Sequence, residues 1–568
     1  MNISKDWRFN LIFAVVVIIS GIVLFRLFFL QINNGGYYKA LAQGQQVELS
    51  EIEGERGAVY FSNREMLAIN IKVPYLFISP AEIEDKELTA EKLASVCSKD
   101  KEYIVSLITE NSNSFYKVIE KDLTKEKSEK IKNLSLKGVY IGNEIKRYYP
   151  TENVASQIIG FVNKDGIGQY GIESYYHEQL KGEEILEIKE DNPYKFFFNS
   201  SNDSVDGDSL ELTIDYNIQF MAEKILNEGV EKYEAEGGNI IVMKPNTGEI
   251  VAMAQNPNFN PNNYNSEDAS SFKNSSIQEI FEPGSIFKPI TMAMALNEGV
   301  VTPETIHIDK LGYTQFGTFK VSNYLNKIWG EINMTQALEG SVNTGMMFVE
   351  KELGHNNFYK YLEKFGIFKK TGIDLAGETY SSNAEIKNAI KNNTDVSFAT
   401  ASFGQGIATT PVQMISMFSS IINGGTLYKP YIVKKINDEE IKPIIIEKDI
   451  VSDKTTTEIR KMLISVVENG FGHLAKINGY WIGGKTGTSQ VPYSSLGINK
   501  SGYSDHTWQT FMGFAPALNP QFIILVKLDN ATKIKTSEYS AVPIFNELAK
   551  YIVNYWQIPP DYEEDLDK

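Results

Sequence analysis

Three short motifs in this sequence combine residue types that serine chemistry requires. Ser285-Ile-Phe-Lys288 places a hydroxyl and an amine one helical turn apart, where the amine can take the proton of the hydroxyl. Ser341-Val-Asn343 adds a second hydroxyl and a carboxamide, and Lys485-Thr-Gly487 adds a cation inside a β-like segment. In chain order the motifs predict a nucleophile with its base, a proton relay, and a strand that binds an anion.

The S-x-x-K spacing also begins at Ser98 and at Ser270, so the surrounding residues must identify the reactive serine. Both of these copies lie in polar stretches typical of surface loops. Ser285 instead follows Pro283-Gly284 and precedes IFKPITMAMALNEG, whose apolar residues predict a helix buried in its domain. Burial and the positive end of the helix dipole would both lower the pKa of the Lys288 amine. Ser285 is therefore the predicted nucleophile.

The other two motifs also recur, and their surroundings again separate the copies. Ser341-Val-Asn343 lies between two helix-like stretches, and a rigid interhelical turn suits a relay serine and a substrate-binding amide. Lys485 lies in YWIGGKTGTSQV, whose small residues would let a substrate backbone pair with the strand edge. Lys370-Thr-Gly372 follows a helical run and predicts a helix end with a left-handed glycine. The less favoured S-x-N copies begin at Ser200 and Ser381, and the small residues of the strand are Gly483, Gly484 and Gly487.

These motifs need a large domain to position them, and residues 206–556 predict one. LELTIDYNIQFMAEKILNEGVEKY predicts a strand and then a helix capped by Asp215. GNIIVMKPNTGEIVAMAQNP predicts two strands joined by a Pro-Asn-Thr-Gly turn. Helix and strand patterns then alternate without an evident second boundary, which indicates a single α/β domain. The polar residues before this domain are expected to form a hairpin or a linker.

Upstream of this domain the sequence predicts a membrane anchor and a smaller domain. Residues 11–32 are almost continuously apolar and about as long as a membrane-spanning helix needs to be. The leader, residues 1–10, carries a lysine and an arginine that favour the cytoplasm, so an uncleaved transmembrane signal anchor is expected. Residues 33–205 mix β-like runs with charged helices, which predicts a β-rich α+β domain outside the cytoplasm. Residues 557–568 form an acidic C-terminal tail.

The composition argues against several other classes of protein. The chain has 568 residues and a formal net charge of -17, so no nucleic-acid partner is expected, because such binding depends on clustered cations. Cys97 is the only cysteine, which rules out an intrachain disulfide and a thiolate metal cluster. The five histidines show no paired ligand spacing. A mechanism without a metal or a cofactor is therefore expected.

At these motifs the sequence resembles the class B penicillin-binding proteins, and the resemblance covers nearly the whole chain. It rests on FEPGSIFKP, LTIDYNIQ, GIESYYHEQLKG, FGQGIATTPVQM and FMGFAPALNP. Within the family the sequence is more similar to the septal enzyme than to the elongation enzyme. The features that indicate this are SVNTGM, KFGIFKKTGIDLAGE and the lack of a C-terminal repeat extension. One segment departs from the family pattern, because the segment from Arg56 to Arg64 lacks the acidic residue of Arg-Gly-x-Ile-x-Asp-Arg. That difference puts a local contact of the smaller domain in question.

The resemblance implies both a fold and a function. The fold is an α/β penicillin-binding, transpeptidase-like serine acyltransferase domain with an antiparallel sheet between helices, on an N-terminal β-rich α+β pedestal with one transmembrane helix. The function is that of a peptidoglycan D,D-transpeptidase, which cross-links stem peptides ending in D-Ala-D-Ala through a serine acyl-enzyme and binds β-lactams. The implied location is the bacterial cytoplasmic (inner) membrane, with most of the chain outside the cytoplasm. A membrane glycan polymerase and cell-division proteins are the implied partners.

The resemblance also implies roles for the catalytic residues. Ser285 would attack the D-Ala-D-Ala carbonyl, and Lys288 would take its proton. Ser341 would relay a proton towards the leaving D-alanine. Asn343 would orient both Lys288 and the peptide amide. An amine from a neighbouring stem peptide would then resolve the acyl-enzyme into a cross-link.

The same family resemblance assigns substrate binding to the third motif. Lys485 and Thr486 would bind the terminal carboxylate, a task that suits a fixed cation and a hydroxyl. The backbone N–H groups of Ser285 and Thr488 would form the oxyanion hole. Gly487 would complete the strand along which the substrate lies.

Several alternatives share parts of this pattern. A catalytically silent scaffold would show degraded motifs, whereas all three motifs are intact here. A β-lactam sensor normally uses a different membrane arrangement. A carboxypeptidase or β-lactamase stays open, although no glutamate can be assigned as a deacylating base. An elongation-type transpeptidase also stays open, while a class A bifunctional enzyme is disfavoured because residues 33–205 leave little room for a glycosyltransferase domain.

Overall fold

The structure, a computed structural model, describes residues 6–28, 52–182, 184–185, 206–392 and 394–562. Helix α1 spans Asp6–Phe28, and its large apolar side chains from Ile12 onwards are exposed. Within the ranges given above, no helix combines the length and the hydropathy required of a membrane span. Of the predicted leader and anchor, residues 1–5 and 29–32 lie outside the described residues.

The described residues fall into two compact units. The first unit takes in the described residues within Met1–Glu55, Asn70–Tyr148 and Gly182–Asp206. The second unit takes in the described residues within Arg56–Ile69, Tyr149–Lys181 and Gly207–Lys568. The three motifs that begin at Ser285, Ser341 and Lys485 all belong to the second unit.

The first unit is an α+β body around a small apolar core. Its elements are β1 (Ile52–Glu53), the end of β3 (Met66–Ile78), α2 (Lys86–Ala94), α3 (Lys101–Glu110), β4 (Lys117–Glu120), α4 (Lys125–Asn133), β5 (Val139–Tyr148) and β8 (Glu184–Ile185). Strand β3 pairs with β4 and β5, and β1 pairs with β8. Leu76 and Ile78 of β3 pack with Leu93 of α2 and Ile104 of α3. Apolar residues from strands and helices therefore share one core.

The second unit contains a five-stranded antiparallel sheet in the order β11-β10-β22-β21-β20. Its strands are β10 (Gly237–Met243), β11 (Ile250–Asn256), β20 (Gly483–Pro492), β21 (Tyr503–Ala515) and β22 (Phe522–Asp529). Ile240 and Val242 of β10 pack in the core shared with α8 (Tyr216–Tyr233) and α18 (Ala541–Tyr555). Ile241, which lies between them, packs in a second core on the other face of the sheet, because successive side chains of a strand point to opposite faces. Helices thus cover both faces, as predicted.

The remaining helices of this unit include the one that carries the first motif. They are α9 (Ser275–Gln278), α10 (Lys288–Asn297), α11 (Met334–Glu339), α12 (Asn343–Leu353), α13 (His355–Lys364), α14 (Ala384–Asn392), α15 (Asp395–Ala401), α16 (Pro411–Ile422) and α17 (Asp453–Asn469). Every residue of α10 from Lys288 to Leu296 is buried, and so is every residue of α16. A helix buried on all sides explains the nearly continuous apolar run after Ser285.

Two local predictions in this unit are confirmed. Asp215 caps α8, because its carboxylate accepts the backbone N–H groups of Asn217 and Ile218 at 2.9 and 3.1 Å. The Pro-Asn-Thr-Gly segment joins β10 to β11 as a turn, with Gly248 at a φ of +82°. The cap residue therefore predicted where α8 begins, and the turn residues predicted where β10 ends and β11 begins.

Short strands and helices complete the second unit. They are β2 (Val59–Tyr60), α5 (Ser156–Ile159), β6 (Phe161–Val162), β7 (Gly168–Gln169), α6 (Gly171–Tyr175), α7 (His177–Leu180), β9 (Leu210–Leu212), β16 (Leu427–Tyr428), β17 (Val433–Ile436), β18 (Glu439–Glu440) and β19 (Ile445–Glu447). Arg56 Nε donates to Glu173 Oε2 at 2.7 Å, and Arg64 Nε lies 3.9 Å from Glu211 Oε2. Both arginines of the segment that departs from the family pattern therefore have carboxylate partners.

A small lobe, residues 306–333, lies between α10 and α11 in the chain. It contains β12 (Ile306–Asp309), β13 (Tyr313–Phe316), β14 (Phe319–Ser322) and β15 (Gly330–Asn333). Strand β12 pairs with β15, and β13 pairs with β14. The lobe contacts the second motif, as described below.

Candidate active site

The predicted nucleophile lies on a tight turn that leads into α10. Residues Gly284–Phe287 form a 3-10 helix, and the backbone N–H of Lys288 donates to the carbonyl of Ser285. Gly284 has a φ of +55°, a conformation that favours glycine. Ser285 is half-buried, whereas the Lys288 side chain is fully buried. The sequence predicted a helix start at Ser285, and the first turn is a 3-10 turn before the α-helix begins at Lys288.

The second motif forms the predicted turn between two helices. Ser341 lies between α11 and α12 with a φ of +51°. The Lys288 amine donates to the Ser341 carbonyl at 2.5 Å, to Ser341 Oγ at 3.2 Å and to Asn343 Oδ1 at 2.7 Å. The structure therefore brings the first two motifs together around one amine.

The third motif joins the same cluster from the sheet. Lys485 lies on β20, an edge strand, and its partner Met512 on β21 packs in the core that contains α10. Side chains of directly paired residues lie on the same face of a sheet, so Lys485 points towards α10. Its amine donates to Ser341 Oγ at 3.0 Å and to the carbonyl of Thr486 at 3.0 Å. Ser341 Oγ thus contacts both lysine amines.

The same strand packs directly against the nucleophile turn. A Cβ atom on Gly487 would lie 3.0 Å from Ile286 Cγ2 and 3.2 Å from the carbonyl oxygen of Pro283. Only a small residue lets β20 approach the turn this closely. Thr486 is buried, and Thr488 is exposed and donates to Ser537 Oγ at 3.2 Å.

Burial changes the acid–base behaviour of both lysines. Loss of hydration lowers the pKa of Lys288 well below its usual value, and the nearby Lys485 charge lowers it further. Burial lowers the pKa of Lys485 to about 7. A lysine that is readily neutral is able to take a proton from a serine hydroxyl.

The structure gives a different reason for two of the glycines on β20. A Cβ on Gly483 would lie 2.3 Å from the ring of Phe514, and a Cβ on Gly484 would lie 2.5 Å from the ring of Phe511. Both rings belong to the adjacent strand β21. These glycines make room for aromatic packing within the sheet, which the sequence alone did not indicate.

The less favoured copies of the motifs lie elsewhere. Ser98 and Ser270 are exposed, as predicted, and Ser98 Oγ accepts from Lys127 Nζ at 2.7 Å. Lys370 is exposed, and Gly372 has the predicted positive φ, but α13 ends earlier, at Lys364. The helix end expected at Lys370 is therefore wrong, because the chain leaves the helix at Phe365 and Gly366. In the S-x-N copy that begins at Ser381, Asn383 is buried and its Nδ2 donates to the backbone carbonyls of Ile367 and Ala408. The copy that begins at Ser200 lies outside the described residues.

A loop that was not predicted from the sequence to be part of the site supports the nucleophile turn. Gly404 accepts from the N–H of Gly284 at 3.0 Å, and a Cβ on Gly404 would lie 2.2 Å from the carbonyl of Gly284. Gly404 has a φ of +80°, and the ring centroid of Phe403 lies 6.0 Å from Lys288 Nζ. The available signal was FGQG, in which two glycines follow an aromatic residue, and such glycines suggest a close backbone approach.

These features define a class of protein with the chemistry of a serine acyltransferase. A half-buried hydroxyl lies one turn before a buried lysine, and a second serine hydroxyl connects that lysine to a third residue on an edge strand. An extended peptide can lie along such an edge.

Comparisons with known proteins identify the family. The family described as penicillin binding protein transpeptidase domain matches residues 238–550, and the family described as penicillin-binding protein dimerisation domain matches residues 51–212. Stage V sporulation protein D of Bacillus subtilis is 32% identical over 544 residues, covering 93% of this chain and 82% of that protein. Peptidoglycan D,D-transpeptidase FtsI of Escherichia coli K12 is 27% identical over 573 residues, covering 99% and 94%. The chain belongs to the class B penicillin-binding proteins, as the sequence motifs predicted.

A solved structure agrees with this fold. Penicillin binding protein 3 of Mycobacterium tuberculosis, complexed with aztreonam, superposes with a TM-score of 0.68. The match covers 90% of this chain and 98% of that one at 23% sequence identity. At this identity the match concerns the fold alone.

Proposed function

We propose that this protein is a septal peptidoglycan D,D-transpeptidase that acts through Ser285. The observation that carries the proposal is the contact of Ser341 Oγ with both Lys288 and Lys485, because it joins all three motifs in one hydrogen-bonded cluster. The names of the relatives support the reaction, since several of them are peptidoglycan D,D-transpeptidases.

In the first half-reaction the donor stem peptide acylates the enzyme. Ser285 Oγ attacks the carbonyl carbon between the two D-alanines, and its proton passes to neutral Lys288. The C–N bond breaks, and the leaving D-alanine receives a proton through Ser341 Oγ, which contacts Lys288 Nζ at 3.2 Å. The N–H groups of Ser285 and Thr488 stabilise the oxyanion. The product is an ester between Ser285 and the shortened stem peptide.

In the second half-reaction an amine of a neighbouring stem peptide attacks this ester. Lys288 takes the amine proton, the C–O bond to Ser285 breaks, and the serine oxygen regains its proton. A new amide bond cross-links the two peptides. Asn343 orients the Lys288 amine and the peptide amide, since its Oδ1 accepts from Lys288.

The donor carboxylate binds at the far end of the cluster. Lys485, together with Thr486, Gly487 and Thr488, presents a cation, hydroxyls and a strand edge to it. A β-lactam carries an equivalent carboxylate and a reactive carbonyl, so it acylates the same serine. Because the carboxylate stabilises the charged amine, binding raises the pKa of Lys485 from about 7.

The proposal includes a single membrane anchor at residues 11–32, with most of the chain outside the cytoplasm of a bacterium. The exposed apolar side chains of α1 support it, because water is an unfavourable surrounding for such a surface. Partners of this arrangement would be a membrane glycan polymerase and cell-division proteins.

A role in sporulation is a second candidate with the same chemistry. It is favoured by the 32% identity to stage V sporulation protein D, compared with 27% to the FtsI protein of Escherichia coli. Depletion of the protein in its own cells separates the roles, because a septal enzyme is needed for vegetative division and a sporulation enzyme is not.

Intact-protein mass spectrometry after penicillin treatment tests the proposed reaction. We expect one covalent penicillin per chain that is released slowly. A scaffold would gain no adduct, and a β-lactamase would lose the adduct within the time of the measurement, so either result contradicts the proposal.

A further inference from the structure

The carboxamide of Asn343 is held from two sides. Its Oδ1 accepts from Lys288 Nζ at 2.7 Å, while its Nδ2 donates to the backbone carbonyl of Ser322 at 2.9 Å. Ser322 ends β14 in the lobe. A carboxamide has one accepting end and one donating end, so the Ser322 carbonyl determines which end faces Lys288.

The next residue, Asn323, ties the lobe to the start of α12. Its Oδ1 accepts from the backbone N–H of Thr344 at 2.9 Å. Its Nδ2 donates to Asp309 Oδ2 at 2.8 Å and to the carbonyl of Lys327 at 3.0 Å. Asn323 is only 4% exposed, so water has little access to replace these bonds. Because Thr344 directly follows Asn343, Asn323 fixes the backbone that carries the catalytic carboxamide.

Asp309 holds Asn323 in turn. Its Oδ1 accepts from the N–H of Gly312 at 2.9 Å, and its Oδ2 accepts from Asn323 Nδ2 and from the N–H of Trp329 at 3.0 Å. The residue is 3% exposed, and hydrogen bonds to a buried carboxylate are stronger than those between neutral groups. Trp329 also packs against Gly340, the residue before Ser341, because a Cβ added to Gly340 would lie only 2.3 Å from the Trp329 ring. The network therefore reaches both sides of the S-x-N turn.

We propose that Asn323 and Asp309 are positioning residues for acyl transfer, which hold the Asn343 carboxamide with its oxygen towards Lys288. This inference rests on the proposed function, because it concerns the same acylation. A positioning role affects the step in which the serine proton moves. Reversible binding of a β-lactam, which depends mainly on the cation and the edge of β20, is expected to change far less than the acylation rate constant.

The test measures acylation of the full chain by a fluorescent penicillin over a range of concentrations, which separates the acylation rate constant from the dissociation constant of the reversible complex. We expect Asn323→Ala to lower the rate constant about tenfold, with the dissociation constant within about twofold of the parent. Gln315→Ala is the matched control. Gln315 is an exposed amide of the same lobe that donates to the carbonyl of Gly317 at 2.8 Å. It should acylate like the parent.

A charge swap keeps the test valid if Asn323→Ala does not fold. Asn323→Asp places a second carboxylate against Asp309, and two adjacent carboxylates repel each other. Adding Asp309→Asn removes one charge and lets the amide of residue 309 donate to the carboxylate of residue 323, while the N–H of Trp329 and the carbonyl of Lys327 each lose a partner. The double variant should therefore acylate several-fold faster than Asn323→Asp alone.

Three results would overturn the inference. They are equal acylation rate constants for Asn323→Ala and the parent, a loss confined to the dissociation constant, and no recovery in the double variant. A parent chain that forms no adduct would instead count against the proposed function itself.

Discussion

Ser341 Oγ lies between two buried amines, 3.2 Å from Lys288 Nζ and 3.0 Å from Lys485 Nζ. Two positive charges this close in a buried site repel each other strongly. Burial lowers the pKa of both amines, and the charge of Lys485 further lowers that of Lys288. Near neutral pH the cluster therefore favours a neutral Lys288, which can act as a base, beside a Lys485 that can carry the proton.

This arrangement predicts a pH dependence of penicillin binding. In the proposed function a protonated Lys485 pairs with the carboxylate, and burial lowers the pKa of Lys485 to about 7. As pH rises above that value, the dissociation constant of the reversible complex should increase, approaching about tenfold per pH unit for a single titrating group. The measurement is the concentration dependence of acylation between pH 6 and about 9.

A penicillin methyl ester serves as the control for that prediction. It has no carboxylate to pair with Lys485, so its dissociation constant should change little with pH. The same pH dependence for the acid and the ester would contradict the assignment of Lys485 as the carboxylate partner.

A substitution tests the choice between the two K-T-G copies. Lys485→Ala should slow acylation by about 10²-fold, because a charge-assisted contact of a few kcal/mol is lost from the transition state. Lys370→Ala should have little effect, since Lys370 is exposed and lies outside the cluster. Acylation rates with a fluorescent penicillin give the comparison, and equal effects at the two lysines would exclude the assignment.

Among the elements, β20 is constrained by the aromatic rings of its neighbour β21. Gly483→Ala should lower the free energy of unfolding by about 1–3 kcal/mol, because the added methyl overlaps the ring of Phe514. Thermal unfolding measures the loss, and adding Phe514→Leu should recover part of it. Unchanged stability with slower acylation would instead favour a direct role of Gly483 in substrate binding.

The motif-bearing elements were predictable because each motif has a distinct local pattern. The apolar run after Ser285 predicted a buried helix, the β-like residues around Lys485 predicted a strand, and Asp215 predicted a helix start. Each pattern is read within a short stretch of chain. The 3-10 turn at Ser285 was not predictable, since it depends on packing against Gly404 and β20.

The lobe illustrates what local patterns cannot give. Asp309 and Asn323 are fourteen residues apart, and they meet only because β12 and β14 lie in the same folded lobe. Nothing in the sequence distinguishes these two buried residues from the aspartates and asparagines of the surface. Their burial and their contacts with the S-x-N turn become visible only in three dimensions.

At the scale of the whole molecule, the order of the segments was predictable and their exact limits were not tested. The family matches at 51–212 and 238–550 follow the predicted order of smaller domain and transpeptidase domain. The limits at residues 33, 206 and 556 stay predictions. Residues 56–69 and 149–181 belong by their contacts to the second unit, and long-range packing of this kind leaves no mark in local composition.

The proposed anchor predicts the behaviour of a truncated chain. Deletion of residues 1–32 should give a soluble, folded protein that still binds penicillin but no longer supports growth, because the segment supplies membrane placement and no catalytic group. Penicillin labelling and complementation of a depleted strain are the measurements. A truncated chain that supports growth as well as the full chain would contradict the proposed anchor.

The central claim, acylation at Ser285, is tested most directly by mapping the penicillin adduct. Ser285→Ala should abolish labelling, with a thermal midpoint within a few degrees of the parent, because loss of one hydroxyl at a helix start costs about 0.5 to 2 kcal/mol at most. Ser98→Ala and Ser270→Ala should label normally. Peptide mapping of the parent should place the adduct on the fragment containing FEPGSIFK. An adduct on another peptide, or labelling that persists in Ser285→Ala, would contradict the account.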